Sequence, residues 1–352
     1  MRLRLARAVA YAVVTVAVIG AVTGCAGTDM LQPAVGALCT SAPVPVVSGA
    51  GVSLTESAGV STWAVVPRGT DLCIGERPDS HFVYRAPTVV PNSRLFLFLP
   101  GTLASVRDSR LILAQAARSG YHTIGLAYPN TTELSSVCAL SSSGCFGDTR
   151  LEILTGQAVS AVVEVDRANS IENRVLRLLQ FMRHFDPGGN WEQFVVGDSA
   201  PAWEKVSVAG HEQGGGFALF IAHRRVVARA SAYSSFGDAL PNGALAPWLR
   251  QPFATPIARV FGVISTFDEL VSPSEALAAW TAIGMGSALI DIDITAMPYG
   301  SAQRFITALS PFNAQTTRYP NHGVLTMDLN TPIRQGVPSF ASVWRAVSFP
   351  QP

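Results

Sequence analysis

Residues 206–216 read Val-Ser-Val-Ala-Gly-His-Glu-Gln-Gly-Gly-Gly. A short strand pattern runs into Gly210-x-Glu212-x-Gly214, and an apolar helical pattern follows from Phe217 to His223. This is the layout of a nucleophile elbow, a turn too sharp for nearby Cβ atoms, with its central residue strained at a sheet edge over a helix N-terminus. That residue is Glu212. A carboxylate there can take a proton, aim a water or attack a carbon atom. Attack on an ester carbonyl would give a mixed anhydride, a poor resting intermediate. The helix N-terminus favours the anionic form. Other readings of the segment fail. His211-Glu212 is not a zinc-peptidase motif, because Gly215 stands where the second His would be, and the glycine run fits neither a dinucleotide nor a P-loop fingerprint. No cofactor is implied.

The elbow resembles that of the α/β-hydrolase superfamily, most of all the secreted bacterial members with a Gly-His-Ser-Gln-Gly-Gly-type turn, over roughly residues 80–350. Two more segments fit that family in its order of nucleophile, acid and base. Thr266 to Pro273 resembles the loop that carries the acid, at Asp268, and Tyr319 to Gly323 resembles the loop that carries the catalytic histidine, at His322. Leu99-Pro100-Gly101-Thr102 matches the first oxyanion loop. The resemblance then implies an oxyanion hole made by the N–H groups of Thr102 or Leu103 and of Gln213. It also departs from the family: Glu212 replaces the nucleophilic Ser. Relatives with a carboxylate nucleophile carry Asp and attack alkyl carbon. Glu is one methylene longer, and a misplacement of about 1 Å can cost about a hundredfold in rate.

Three functional readings follow. The first is an inactive or ligand-binding hydrolase homologue, with the Glu212 carboxylate lying in the oxyanion hole or pairing with His322. The second is an active ester-type hydrolase using Glu212 as nucleophile or general base with His322 and Asp268. The third places the nucleophile elsewhere, with Ser234 and Ser235 as the nearby hydroxyls. Asp238 is the alternative acid, because it follows the preceding strand. The ligand in each case is a small molecule, ester-type if the site is active. The segment Leu240 to Pro256, rich in Pro with Trp248 and Phe253, suits either a cap over the site or a packed surface loop.

These residues need a scaffold, and the chain describes one. Arg94-Leu95-Phe96-Leu97-Phe98-Leu99 is a short continuous apolar run stopped by Pro100-Gly101, as expected of a strand buried on both faces. Further strands are expected over His122–Tyr128, Val206–Ala209, Val227–Ser234, Ala258–Ser265 and Arg304–Leu309. Helices are expected over Ser109–Ser119, Ile171–Phe185, Ser274–Ile283 and Ser339–Val347. The alternation predicts an α/β fold, α/β-hydrolase-like, with a mostly parallel central sheet and helices on both faces. No linker separates two cores, so residues 61–352 read as one domain with a cysteine-bearing excursion near 131–160.

Ahead of it, residues 1–24 have the layout of a signal peptide: Arg2, Arg4 and Arg7, an apolar stretch from Ala8 to Val22, then Val-Thr-Gly-Cys resembling a bacterial lipobox with Cys25 as the lipidated residue. Residues 25–60, poor in charge and rich in small residues, read as a tether. The expectation is an exported lipoprotein held at the bacterial cell envelope by a lipid on Cys25. The four other thiols can pair in three ways. Cys138 and Cys145 flank a Ser-Ser-Ser-Gly segment and are expected to pair, leaving Cys39 with Cys73. A zinc site is disfavoured, since no C-x-x-C or H-x-x-x-H pair exists. With a net charge of +1 over 352 residues, falling to about −2 without the signal, the chain lacks the basic surplus of a nucleic-acid partner. With 48% hydrophobic residues it is not a disordered chain.

Overall fold

The computed structural model describes residues 52–75, 79–312 and 317–351. The expected leader at 1–24, Cys25 with its expected lipid, and Cys39 with its expected bond to Cys73 lie outside the described residues.

Ten strands form one sheet. In chain order they are β1 (Val52–Ser57), β2 (Val60–Val65), β3 (His81–Arg85), β4 (Leu95–Leu99), β5 (His122–Gly125), then, after a small ribbon of β6 (Val195–Val196) and β7 (Ala200–Pro201), β8 (Val206–His211), β9 (Arg229–Tyr233), β10 (Val260–Ser265), β11 (Leu289–Asp291) and β12 (Arg304–Thr307). The spatial order is β1-β2-β3-β5-β4-β8-β9-β10-β12-β11. All pairings from β5 to β11 are parallel, and β1, β2 and β3 add an antiparallel margin. The expected fold class, α/β with a mostly parallel sheet, is the observed one.

The β4 run shows why this sheet is covered twice. Successive side chains of a strand point to opposite faces. Leu95, Leu97 and Leu99 enter one core cluster, while Phe96 and Phe98 enter the other. The leucine face is covered by α2 (Leu134–Cys138), α3 (Cys145–Thr155), α4 (Ile171–Phe185), α5 (Gln213–Arg224) and α6 (Pro273–Ala282). The phenylalanine face is covered by α1 (Arg110–Arg118) and, after the short α7 (Pro320–Gly323), by α8 (Ala341–Val347). In α4 the buried Ile171, Val175, Leu178, Leu179 and Met182 recur at helical spacing, and the Ser170 side chain accepts the Asn173 N–H at the N-cap.

The structure differs from the sequence expectation at the N-terminal margin. Val52–Ser57, inside the stretch read as a tether, pair antiparallel with β2 across an Ala58-Gly59 turn. The β1 side chains are mostly exposed, so this edge strand is held by backbone pairing and needs no apolar run. The excursion near 131–160 contains α2 and α3, joined by a Cys138–Cys145 disulfide with Cα atoms 5.6 Å apart.

Candidate functional site

The elbow forms where β8 meets α5. Glu212 caps the helix with φ 51° and ψ −121°, a left-handed φ that an L side chain adopts at a cost. Its N–H donates to the Tyr233 carbonyl at 3.0 Å, and its own carbonyl accepts the Gly216 N–H at 3.0 Å. The turn is tight enough that a Cβ on Gly210 would run into the Gly214 backbone, and one on Gly214 into the Leu99 carbonyl. Residue 212 is thereby thrust out between β4 and β9, its backbone fixed on both sides.

The Glu212 carboxylate turns toward the loop after β4. Its Oε2 accepts the Thr102 N–H at 2.6 Å, and the Thr102 hydroxyl lies 3.4 Å from Oε1. Gly101 is required for this approach, since a Cβ there would sit 2.8 Å from Oε2. At 2.6 Å to a carboxylate this is a charge-assisted bond of the stronger kind. The Leu103 N–H, the alternative first donor, instead donates to the Asn130 carbonyl at 2.9 Å. Gln213, the expected second donor, is the first residue of α5, so its N–H has no intrahelical acceptor.

On the other side of the elbow stand the two remaining residues expected at the site. His322 Nδ1 lies 2.8 Å from Asp268 Oδ1, and the Asp268 side chain is wholly buried. Burial works to raise the Asp268 carboxyl, but the His322 hydrogen bond and charge, with the N–H groups of Val271 and Leu270, outweigh it and hold it below the usual carboxylate range. The His322 main chain is clasped as well. Its N–H donates to Glu269 Oε2 at 2.7 Å, and its carbonyl accepts from His211 Nε2 at 2.9 Å and from the Ser234 hydroxyl at 2.8 Å. Burial first, then the neighbouring His322, push the His211 imidazole down to about 3. Ser234, read as a possible nucleophile, is thus spent on a carbonyl. No hydrogen bond joins Glu212 to His322 among the described residues.

Several solved structures have a similar fold. A protein of Thermus thermophilus is 15% identical, with a TM-score of 0.37 over 73% of this chain and 90% of its own. An alpha-beta serine hydrolase homologue of Coxiella burnetii is 13% identical, with a TM-score of 0.36 over 74% of this chain and 88% of its own. An S-formylglutathione hydrolase of Agrobacterium tumefaciens is 13% identical, with a TM-score of 0.36 over 65% and 86%. No family model matches the chain, and no curated protein matches it.

A cavity of about 290 Å³ opens beside the elbow, with Glu212, Gln213, Glu133, Phe146, Phe236 and Val271 in its walls. Arg150 also lines it and was not visible as a site residue in the sequence. This guanidinium, 2% exposed, forms a two-pronged ion pair with Asp238 at 2.6 Å for each bond, with NH1 3.3 Å from the Gln213 carbonyl. It also lies over the Phe217 ring at 4.7 Å. Trp248 Nε1 donates to Asp238 at 2.8 Å. Asp238, the alternative acid, is therefore bound to Arg150 and Trp248, and the carboxylate on His322 is that of Asp268. The segment from Leu240 to Pro256 contributes no residue to the cavity lining, and its Trp248 packs against Phe220 and Phe253. Among the described residues no three His, Cys, Asp or Glu side chains converge as a metal set.

Proposed function

We propose that the protein is an exported, lipid-anchored α/β-hydrolase homologue whose elbow has turned from acyl transfer to ligand binding. The observation that carries this reading is the 2.6 Å bond from the Thr102 N–H to the Glu212 carboxylate. An oxyanion hole works by aiming donors at negative charge that appears only in the transition state. Glu212 places its own carboxylate oxygen on one such donor. An ester carbonyl entering the site meets a donor already taken and an anion beside it. The histidine that would serve as base finds no hydroxyl at the elbow, where Glu212 stands, and Ser234 is bonded elsewhere.

The test is turnover of p-nitrophenyl acetate. Wild-type protein is expected to run at the buffer rate. Glu212→Ser removes the internal anion and installs a hydroxyl, and a gain of roughly a hundredfold is expected, the scale of one oxyanion donor. Robust wild-type turnover lost in His322→Ala would reject this reading in favour of Glu212 as nucleophile or general base. The lipid anchor is checked separately by intact mass of protein recovered from a bacterial envelope. Acyl chains on Cys25 are expected there, and an unacylated N-terminus would remove the anchor from the proposal.

A further inference from the structure

We infer that the cavity beside the elbow binds a small organic cation: a primary amine on an apolar body, with a carbonyl-type acceptor next to it. This rests on the reading that Glu212 is not a nucleophile. The charge balance of the walls sets the sign. Arg150 and Asp238 neutralise each other. Glu133 and Glu212 face the same cavity, and neither has a basic partner among the described residues. Among the described residues the Glu133 carboxylate is held by the hydroxyls of Ser135 and Ser136, and Glu212 Oε1 by the Thr102 hydroxyl at 3.4 Å. Two carboxylates without a basic partner make the cavity favour a cation over an anion.

A second, independent feature points to a ligand. Gln213 is only 5% exposed and lines the cavity. Its Oε1 accepts the Leu134 N–H at 3.2 Å, which fixes the amide and leaves Nε2 buried without a partner. An unmade hydrogen bond at a buried amide costs about 1–3 kcal/mol. A ligand oxygen at Nε2 would recover it. Leu134, Phe146, Phe236 and Val271 supply the apolar walls. At about 290 Å³ the space is at the small end of ligand pockets, suited to a metabolite-sized molecule.

The test uses full-length protein in detergent and isothermal titration with L-phenylalaninamide, which carries the amine, the carbonyl and an apolar ring. Binding is expected, and N-acetyl-L-phenylalaninamide, with the charge removed, is expected to bind at least tenfold more weakly. The carboxylate 3-phenylpropanoate is expected not to bind. Glu212→Gln should lower the affinity for phenylalaninamide tenfold while leaving the N-acetylated form unchanged. Gln213→Leu should weaken phenylalaninamide more than phenethylamine, which lacks the carbonyl. Equal affinity for the free and acetylated amines, tighter binding of the carboxylate, or no heat with phenylalaninamide at millimolar concentration would overturn the inference. The ligand comparison with wild-type protein stands whether or not either variant folds. Ester turnover of the same preparation separates the two failures: silent protein that ignores the amine sinks this inference alone, and active protein sinks the reading beneath it.

Discussion

The two ends of the site are built to different standards. At the histidine end, His322 is fixed at its ring, its N–H and its carbonyl, by Asp268, Glu269, His211 and Ser234. At the elbow end, a strained backbone presents a charged side chain whose main tie is one N–H. The contrast separates chemistry from architecture. The hydrogen bonds to the His322 peptide fasten α7 onto β8, the residue after β9 and the loop after β10, so the fold needs them whether or not the ring takes a proton. The ring bond to Asp268 partners a carboxylate that the fold has buried, so it too has a packing role beside any role as a base. An intact His–Asp pair is therefore compatible with a silent elbow.

This contrast breaks first at the ring. In the Glu212→Ser background, His322→Ala leaves the peptide clasp in place and removes the base. Ester hydrolysis is expected to fall by about a hundredfold to ten-thousandfold, the range of general-base catalysis, with some loss of stability as well, because the buried Asp268 carboxylate loses its ring partner. Unchanged hydrolysis in that variant would mean that the ring is architectural alone. The next effect is at Arg150. Arg150→Ala leaves Asp238 buried without its partner, and removing one member of a buried pair costs about 3–5 kcal/mol. Urea unfolding reads this directly. A change below about 1 kcal/mol would show that the pair does not hold the cavity wall.

What the sequence disclosed follows from how local each signal is. The elbow was legible because its glycines lie within one turn of the residue they serve. β4 and α4 were legible because burial on two faces, or on one helical face, leaves a pattern within a few residues. β1 left none, being a mostly exposed edge strand. The direction of the Glu212 carboxylate depends on an N–H 110 residues away. Of the outcomes open in the sequence, only the packed chain chooses between that donor and His322. Arg150 is the extreme case. An arginine in a Ser- and Cys-rich excursion reads as surface, and only Asp238, 88 residues on, makes it a buried wall.

The smallest effect tests the clasp through pH. His211 is held down to about 3, by burial and then by the His322 charge, while the His322 carbonyl and Asp268 pull the other way. The unfolded chain takes up the proton near 6.5. Between these values the unfolded state carries one more proton. Stability is then complete above pH 6.5 and falls as the pH drops toward 3, by about 1.4 kcal/mol per unit. His211→Gln keeps a donor for the His322 carbonyl and loses the titration. Comparing urea unfolding at pH 7.5 and pH 5, wild type is expected to lose about 2 kcal/mol more than the variant. His81, His122 and His223 are lowered as well, but they are common to both proteins and cancel. Asp268 is a lowered acid, so its contribution is present above the ordinary carboxylate range and fades only as the pH falls through its own lower value, outside this comparison. Equal losses in the two proteins would mean that His211 is protonated in the folded state, and that its bond to the His322 carbonyl is made by an imidazolium.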